Sequence, residues 1–353
     1  MRQSGRIPVV LSIAGSDSGG GAGIQADLKA FAACGVHGTS AITAITAQNT
    51  VGVTAVHAVP PETIVEQVRA VASDIGVDAV KIGMLGDEAT IAAVARALDQ
   101  LAAATPVVLD PVMVAESGAE LLVPAARSLL VEVLLPRATV ITPNLPEARA
   151  LLAASAAGHQ RGAPAGVDDD PDGAHMLARA LHALGPEAVV LTGGHRSQAT
   201  DVFFDGQKLV EIPGERYENR AAHGSGCTHS SVLAARLALG DDPLQAARHA
   251  KQLAAQAVRD GLEDIGRGPG PVNVLGVGAP EKGVVGGREW TLAGAPPESL
   301  YEPGGARAGG PRSPSSPQRS SSRCSLGCRA ARSHRSAAAG PRPRRARPLG
   351  RVG

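Results

Sequence analysis

Aromatic side chains are almost missing from this sequence: 353 residues contain one Trp, two Tyr and three Phe. The hydrophobic share of 44% is enough for a packed core, so that core must be built from Ala, Val, Leu and Ile. No run approaches the ~18 uninterrupted apolar residues of a membrane span. Val9–Ala14 is apolar behind two arginines, but it is too short for a signal h-region and leads into a glycine-rich stretch, so no secretion signal is read. Four cysteines are too few for a disulfide framework in a chain of this length and fit a reducing cytoplasm. Acidic residues and lysine are absent from Pro303 onward, where there are 12 arginines. The whole chain carries +1, so residues 1–302 carry −11. An acidic body thus bears a basic extension.

Within the body, short apolar runs alternate with helical patterns. Strands are expected at Val9–Ala14, Ser40–Thr46, Ala79–Gly83, Val107–Asp110, Ala138–Thr142 and Ala188–Thr192, with a hairpin of Asp201–Phe204 and Lys208–Ile212 around Asp205-Gly206. Ile24, Leu28 and Phe31 share one helical face, as do Ile64, Val68 and Val71. Glu88–Leu101, Ala174–Leu184, Ser230–Leu239 and Leu244–Val258 read as further helices. This alternation implies an α/β fold, a mostly parallel sheet covered by helices on both faces. Ligands bind such sheets beyond the carboxyl ends of the strands, so the loops after Ala14, Gly83, Asp110, Thr142 and Thr192 are where chemistry is sought.

The pattern stops near Val277. Residues 1–278 are read as one domain and 279–353, rich in Arg, Pro, Ser and Gly, as a disordered tail with too little apolar surface to offset ordering. The tail has three readings: a solvated extension, out-of-frame translation of a GC-rich gene, or a nucleic-acid or anionic-surface binder. Cys324, Cys328 and His334 lack the paired spacing of a zinc site. His37, His57, His175 and His249 form no ligand spacing, and Cys34 belongs to a core-facing helix pattern.

Five segments carry chemistry. Ala14–Asp27, AGSDSGGGAGIQAD, joins the first strand to the first helix. Its glycines admit a close ligand, and free helix-start amides favour acceptors. A formal G-x-G-x-x-A falls at Gly21, Gly23 and Ala26, as in dinucleotide-binding folds. Six residues between Ala14 and Gly21 are too many for that tight turn, and no acid lies between Asp27 and Glu62 to hold a ribose. Gly-Lys-Ser/Thr does not follow, so this is not a Walker A loop. After the second strand, Thr46-Ala47-Gln48-Asn49-Thr50 offers an amide with both a donor and an acceptor, which suits the edge of an aminopyrimidine. Asp110 follows a strand in LDPVM, and Asn144 and Glu147 sit three apart at a helix start in TPNLPE, as oxygen ligands for Mg²⁺ or as an N-cap completed into a capping box. Finally, Ala222-His223-Gly224-Ser225-Gly226-Cys227-Thr228 opens an apolar helix. Its amides can converge on an anion such as a transferring phosphoryl group. The helix start is expected to lower the Cys227 pKa toward a thiolate able to take a hydroxyl proton; the plain alternative is a structural Cys.

Together, AGSDSGGGAGIQADLKAF, TAQNT, AVKIGML, VLDPVMVAESG, ATVITPNLPEA, GGH and HGSGCTHS closely resemble hydroxymethylpyrimidine/phosphomethylpyrimidine kinase, the thiamine-pathway member of the ribokinase-like superfamily. The resemblance runs from Val9 to Leu262. It implies a ribokinase-like fold, ATP and Mg²⁺ as cofactors, a homodimer, and successive phosphorylation of a hydroxymethylpyrimidine and of its monophosphate. It also implies pyrimidine binding by Gln48, Gly15, Asp27 and Met84, a catalytic base in Cys227, and an anion hole of Gly224, Ser225, Gly226 and Cys227. Mg²⁺ and phosphate would fall to Asp110, Asn144 and Glu147, and the nucleotide to Thr192 and Gly194. Family members often carry Lys before Gly-Gly-His, where this chain has Thr192, which removes one charge from the phosphoryl site. The rivals are a pyridoxal-type kinase and a non-catalytic pyrimidine-sensing module. An Arg-rich nucleic-acid binder explains only the tail.

Overall fold

A computed structural model describes residues 5–115, 118–155, 171–193, 199–217, 221–278, 284–285 and 288–289. Its centre is a nine-stranded sheet in the order β3-β2-β1-β4-β5-β6-β7-β8-β9. The strands are β1 Val9–Asp17, β2 His37–Gln48, β3 Val53–Ala58, β4 Ala79–Ile82, β5 Val107–Leu109, β6 Val140–Ile141, β7 Ala188–Leu191, β8 Asp201–Phe204 and β9 Leu209–Ile212. From β2 to β7 all neighbours run parallel, while β3, β8 and β9 are antiparallel at the two margins. The helices are α1 Gly23–Ala33, α2 Pro61–Asp74, α3 Glu88–Leu98, α4 Ala126–Leu129, α5 Leu145–Ala154, α6 Pro171–His182, α7 Ser225–Leu239 and α8 Pro243–Arg259.

Successive strand residues point to opposite faces, and both faces are buried. Leu11, Ile13, Ile82, Leu109, Ile141 and Val189 pack with α2, α3, α5 and α6. Val10, Val108, Val140, Val190 and Phe203 pack with α1, α7 and α8. In β4 this alternation sends Val80 and Ile82 to the first face and Lys81 to the second, where it is fully buried. The second face is lined by small residues of α7 and α8, including Ala234, Ala235, Ala247 and Ala250, which lets the helices lie close to the sheet despite the shortage of aromatics.

The parallel α/β expectation is borne out, with three local differences. β3 was not expected; most of it is exposed, so it carries no buried stripe to reveal it. β1 runs on past Ala14 to Asp17, with a register shift between Ala14 and Ser16, so half of the presumed loop is strand. Residues 126–137 are helical, with α4 continuing through a π turn and a 3₁₀ turn that contains Pro136. Within the segment expected to be unstructured, Val284–Val285 pairs with Arg288–Glu289; the rest of 279–353 lies outside the described residues, as do Cys324, Cys328 and His334.

Candidate active site

A cavity of about 470 Å³ opens at the carboxyl ends of the parallel strands. Gly15 of β1, Gln48 of β2 and Met84 beyond β4 line one end. Met84 lies so close to Gly15 that a Cβ there would stand 2.8 Å from its sulfur, so the glycine makes room for the methionine. Asp110, Thr142, Asn144 and Glu147, beyond β5 and β6, line the middle with Lys81 and the 224–227 turn. Thr192, Asp201, His229 and Lys251 line the end under β7 and β8. Gly194 lies outside the described residues.

Two glycine turns meet over the cavity. Asp17 organises the first: its carboxylate accepts from the amides of Gly19 at 2.7 Å, Ala22 at 2.8 Å and Gly21 at 3.1 Å, and lies 3.1 Å from His223 Nε2. Burial pushes the Asp17 carboxyl up, but His223 and the amides outweigh it and hold the group below the usual carboxylate range. The amides expected to receive a ligand in this loop are therefore occupied by its own aspartate. Gly224, at φ 84°, begins the second turn, and a Cβ on it would run into the Gly21 carbonyl. No side chain caps α7, and the Ser225 amide turns back to the Ala222 carbonyl, so the Gly226 and Cys227 amides form an open helix start.

Beneath that start lies a buried polar knot. Asp27 accepts from Ser12 at 2.6 Å, Ser231 at 2.7 Å and Lys81 at 2.8 Å. Ser230, beside Ser231 on α7, donates to Asp110 at 2.9 Å. Two hydroxyls thus fasten the start of α7 to α1 and to the end of β5. Asp27, expected in the substrate pocket, is fully buried and outside the cavity lining. Its carboxylate is spent on Lys81 and two serines, so it acts on the site through them. Burial drives the Lys81 ammonium down, but Asp27, Cys227 and Asp110 more than reverse this and hold it above the usual lysine range. Removing one partner of such a pair typically costs about 3–5 kcal/mol.

The thiolate expected at Cys227 is not what the structure supports. Burial pushes this thiol up, and the carboxylates of Asp27 and Asp110 add to the effect. Lys81 and the Gly23 amide oppose them without prevailing, so the pKa is pushed up to about 12. The helix start alone is the weaker influence beside this desolvation and the two carboxylates. Asn144 and Glu147 form the capping box: Glu147 N donates to Asn144 Oδ1 and Asn144 N to Glu147 Oε2, both at 2.9 Å. Burial, reinforced by Asp110, pushes the Glu147 carboxyl up to about 8 against the amides of Asn144 and Met113. Asp110 is itself raised, by burial first, against Lys81 and Ser230. Two mutually repelling buried carboxyls facing one cavity are oxygen donors that a divalent cation would suit. Among the described residues no three His, Cys, Asp or Glu side chains group into a ligand set of their own, and Mg²⁺ usually keeps several waters.

Lys81, Asp17, His223 and Lys251 went unassigned from sequence. A lysine inside the apolar run Ala79–Ile82 was the available signal for the first; the other three acquire meaning only from their partners in space.

The fold and cavity are those of an α/β phosphotransferase, with an open helix start in the middle of the cavity. Within that class, the chain belongs to the phosphomethylpyrimidine kinase family, whose model matches residues 17–273. It is 50% identical over 269 residues to the hydroxymethylpyrimidine/phosphomethylpyrimidine kinase of Rhizobium meliloti, covering 75% of this chain and 96% of that one. A thiamine biosynthesis bifunctional protein of Geobacter sulfurreducens is 44% identical over 266 residues, covering 75% of this chain and 51% of that one. Among solved structures, an ADP complex of Bacillus subtilis pyridoxal kinase superposes with a TM-score of 0.67 at 36% identity, covering 76% of this chain and 97% of that one.

Proposed function

We propose that the protein transfers the γ-phosphoryl group of ATP to the hydroxymethyl oxygen of 4-amino-5-hydroxymethyl-2-methylpyrimidine, and then phosphorylates the monophosphate to the diphosphate, in thiamine biosynthesis. The observation that carries this reading is the shared cavity: the Gln48 amide and the Cys227 helix start line the same space. Gln48, Gly15 and Met84 hold the aminopyrimidine at one end, and the open amides of Gly226 and Cys227, in the turn begun by Gly224 and Ser225, receive the moving phosphoryl group. Transfer to a loose transition state asks the protein mainly for positioning and charge. Cys227 therefore serves as a neutral thiol that orients the acceptor hydroxyl, whose proton passes late to an oxygen of the transferred phosphoryl group as charge moves there. The names of the relatives support the pyrimidine as acceptor, and the ADP complex of the pyridoxal kinase supports ATP as donor.

Asp110 and Glu147 would hold Mg²⁺, the latter and Asn144 through water because the capping box occupies them. Such an ion supplies charge neutralisation at the phosphates.

The likeness to pyridoxal kinases favours one rival, a vitamin B6 alcohol as acceptor. ADP formation measured side by side with hydroxymethylpyrimidine, its monophosphate and pyridoxal decides between them; turnover with pyridoxal alone would overturn the pyrimidine reading, and ADP formation independent of any acceptor would overturn both.

Residues 1–278 are proposed to be the whole catalytic domain, supported by a family match ending at residue 273. No helix among the described residues is long and apolar enough to cross a membrane. Cys34 and Cys227 are free thiols, which supports a cytoplasmic setting. A homodimer is supported by Ile45, Val51 and Val56, exposed along the β2–β3 margin; light scattering of the purified protein tests it.

A further inference from the structure

Thr192 stands where an ammonium was expected, yet the cavity beside it contains one. Lys251 projects from the middle of α8, on the face that also brings Ala254, Ala255 and Val258 to the cavity. Its Nζ donates to Asp201 Oδ1 at 2.7 Å, and the same oxygen accepts from the Gly193 amide at 2.8 Å. One carboxylate oxygen therefore pins the ammonium to the residue after Thr192. The stem of Lys251 passes over Gly214 so closely that a Cβ on that glycine would strike its Cε. This is a placed lysine, 13% exposed, with ammonium protons to spare beyond the one given to Asp201. Asp201 is held below the usual carboxylate range: burial works upward, but His229, Lys251 and the Gly193 amide outweigh it, so the carboxylate stays charged and keeps its hold.

A second observation points to a ligand here. Thr142 Oγ1, Thr228 Oγ1 and His229 Nδ1 are buried with no hydrogen-bond partner among the described residues, while His229 Nε2 faces Asp201 Oδ2 at 3.3 Å. Thr142 and His229 line the cavity. Sheet order indicates which ligand end this is. Gly15 and Gln48 belong to β1 and β2 and Met84 lies just beyond β4, whereas Thr192 lies just beyond β7 and Asp201 begins β8, with β5 and β6 between. The acceptor takes the first side, so the phosphate chain of the donor takes the second.

We propose that Lys251, held by Asp201, binds the polyphosphate of the donor nucleotide in the place left open by Thr192. The charge absent from the strand end is supplied from a helix, and Thr192 then causes no deficit at either phosphorylation. This rests on the kinase reading above.

Titration calorimetry with ADP and with adenosine, on the full chain, tests it. Losing one hydrogen bond to a charged group should weaken ADP roughly 10–100-fold in Lys251→Met, while adenosine, which has no phosphate, binds as before. Thr192→Lys added to Lys251→Met should recover most of the ADP affinity. If Lys251→Met fails to fold because Asp201 is stranded, Lys251→Met/Asp201→Asn removes the stranded charge and carries the same comparison. Equal weakening of both ligands, or of neither, overturns the inference, as does a selective loss that Thr192→Lys does not restore. Wild-type protein that binds neither ligand would sink the kinase reading as well, whereas wild-type binding with an indifferent Lys251→Met sinks this inference alone.

Discussion

Cys227 offers the sharpest quantitative test. An ordinary cysteine has a pKa of about 8.5 and is a few per cent thiolate at pH 7. With the Cys227 pKa pushed up to about 12, five pH units above neutrality, roughly one molecule in 10⁵ carries the anion. The anion is then scarcer than in a free cysteine by roughly three and a half orders of magnitude. A more basic thiolate is also a better nucleophile, with a Brønsted coefficient of about 0.4–0.5, and this returns a factor of roughly 40. Alkylation by iodoacetamide should therefore run about a hundredfold slower than for a free cysteine at pH 7. Its rate should climb about tenfold per pH unit through pH 10 without levelling. Peptide mass spectrometry separates Cys227 from Cys34, whose own thiol burial pushes up to about 11. Lys81→Met, which removes the opposing cation, should slow Cys227 further. A plateau near neutral pH would mean a standing thiolate, and the account of burial overriding the helix start would be wrong.

Cys227→Ala should fold normally and lose about 10²–10³ in kcat, the typical cost of one proton-transfer or charge-stabilising group; near-normal turnover would remove it from the reaction. Gln48→Ala should raise the KM for the pyrimidine with little change in the KM for ATP, and an unchanged acceptor KM would take Gln48 out of the pocket. Gly224→Ala combines φ 84° with a clash against the Gly21 carbonyl, so both melting temperature and activity should fall; a variant that melts and turns over like wild type would show that the two turns do not touch. Because the folded Asp17 carboxyl lies below its ordinary range, its stabilisation is present above about pH 4 and is lost as pH falls through the folded value. Urea midpoints of Asp17→Asn should therefore depend less on pH than wild type below pH 4; parallel curves would deny Asp17 its role.

The relation between chain and fold is clearest at particular residues. Val9–Ala14, Val107–Asp110 and Ala188–Thr192 announce themselves because strands covered on both faces must be apolar throughout, and glycines crowd where backbones approach. The family could be read the same way, since its motifs are contiguous and ordered. Local chemistry was also legible in part: the capping box of Asn144 and Glu147 needs only residues three apart.

What the sequence by itself determined about this protein was therefore the alternation, the strand ends and the turns. Tertiary structure alone decided the charges. Cys227 is a thiol because burial and two distant aspartates outweigh the helix it begins, Asp27 serves Lys81 from 54 positions away, and Lys251 reaches Asp201 across 50 positions and, through it, the Gly193 amide. The physical reason is that hydrophobic period and backbone geometry are properties of neighbours along the chain, whereas pKa and electrostatic complementarity depend on groups that only folding brings together.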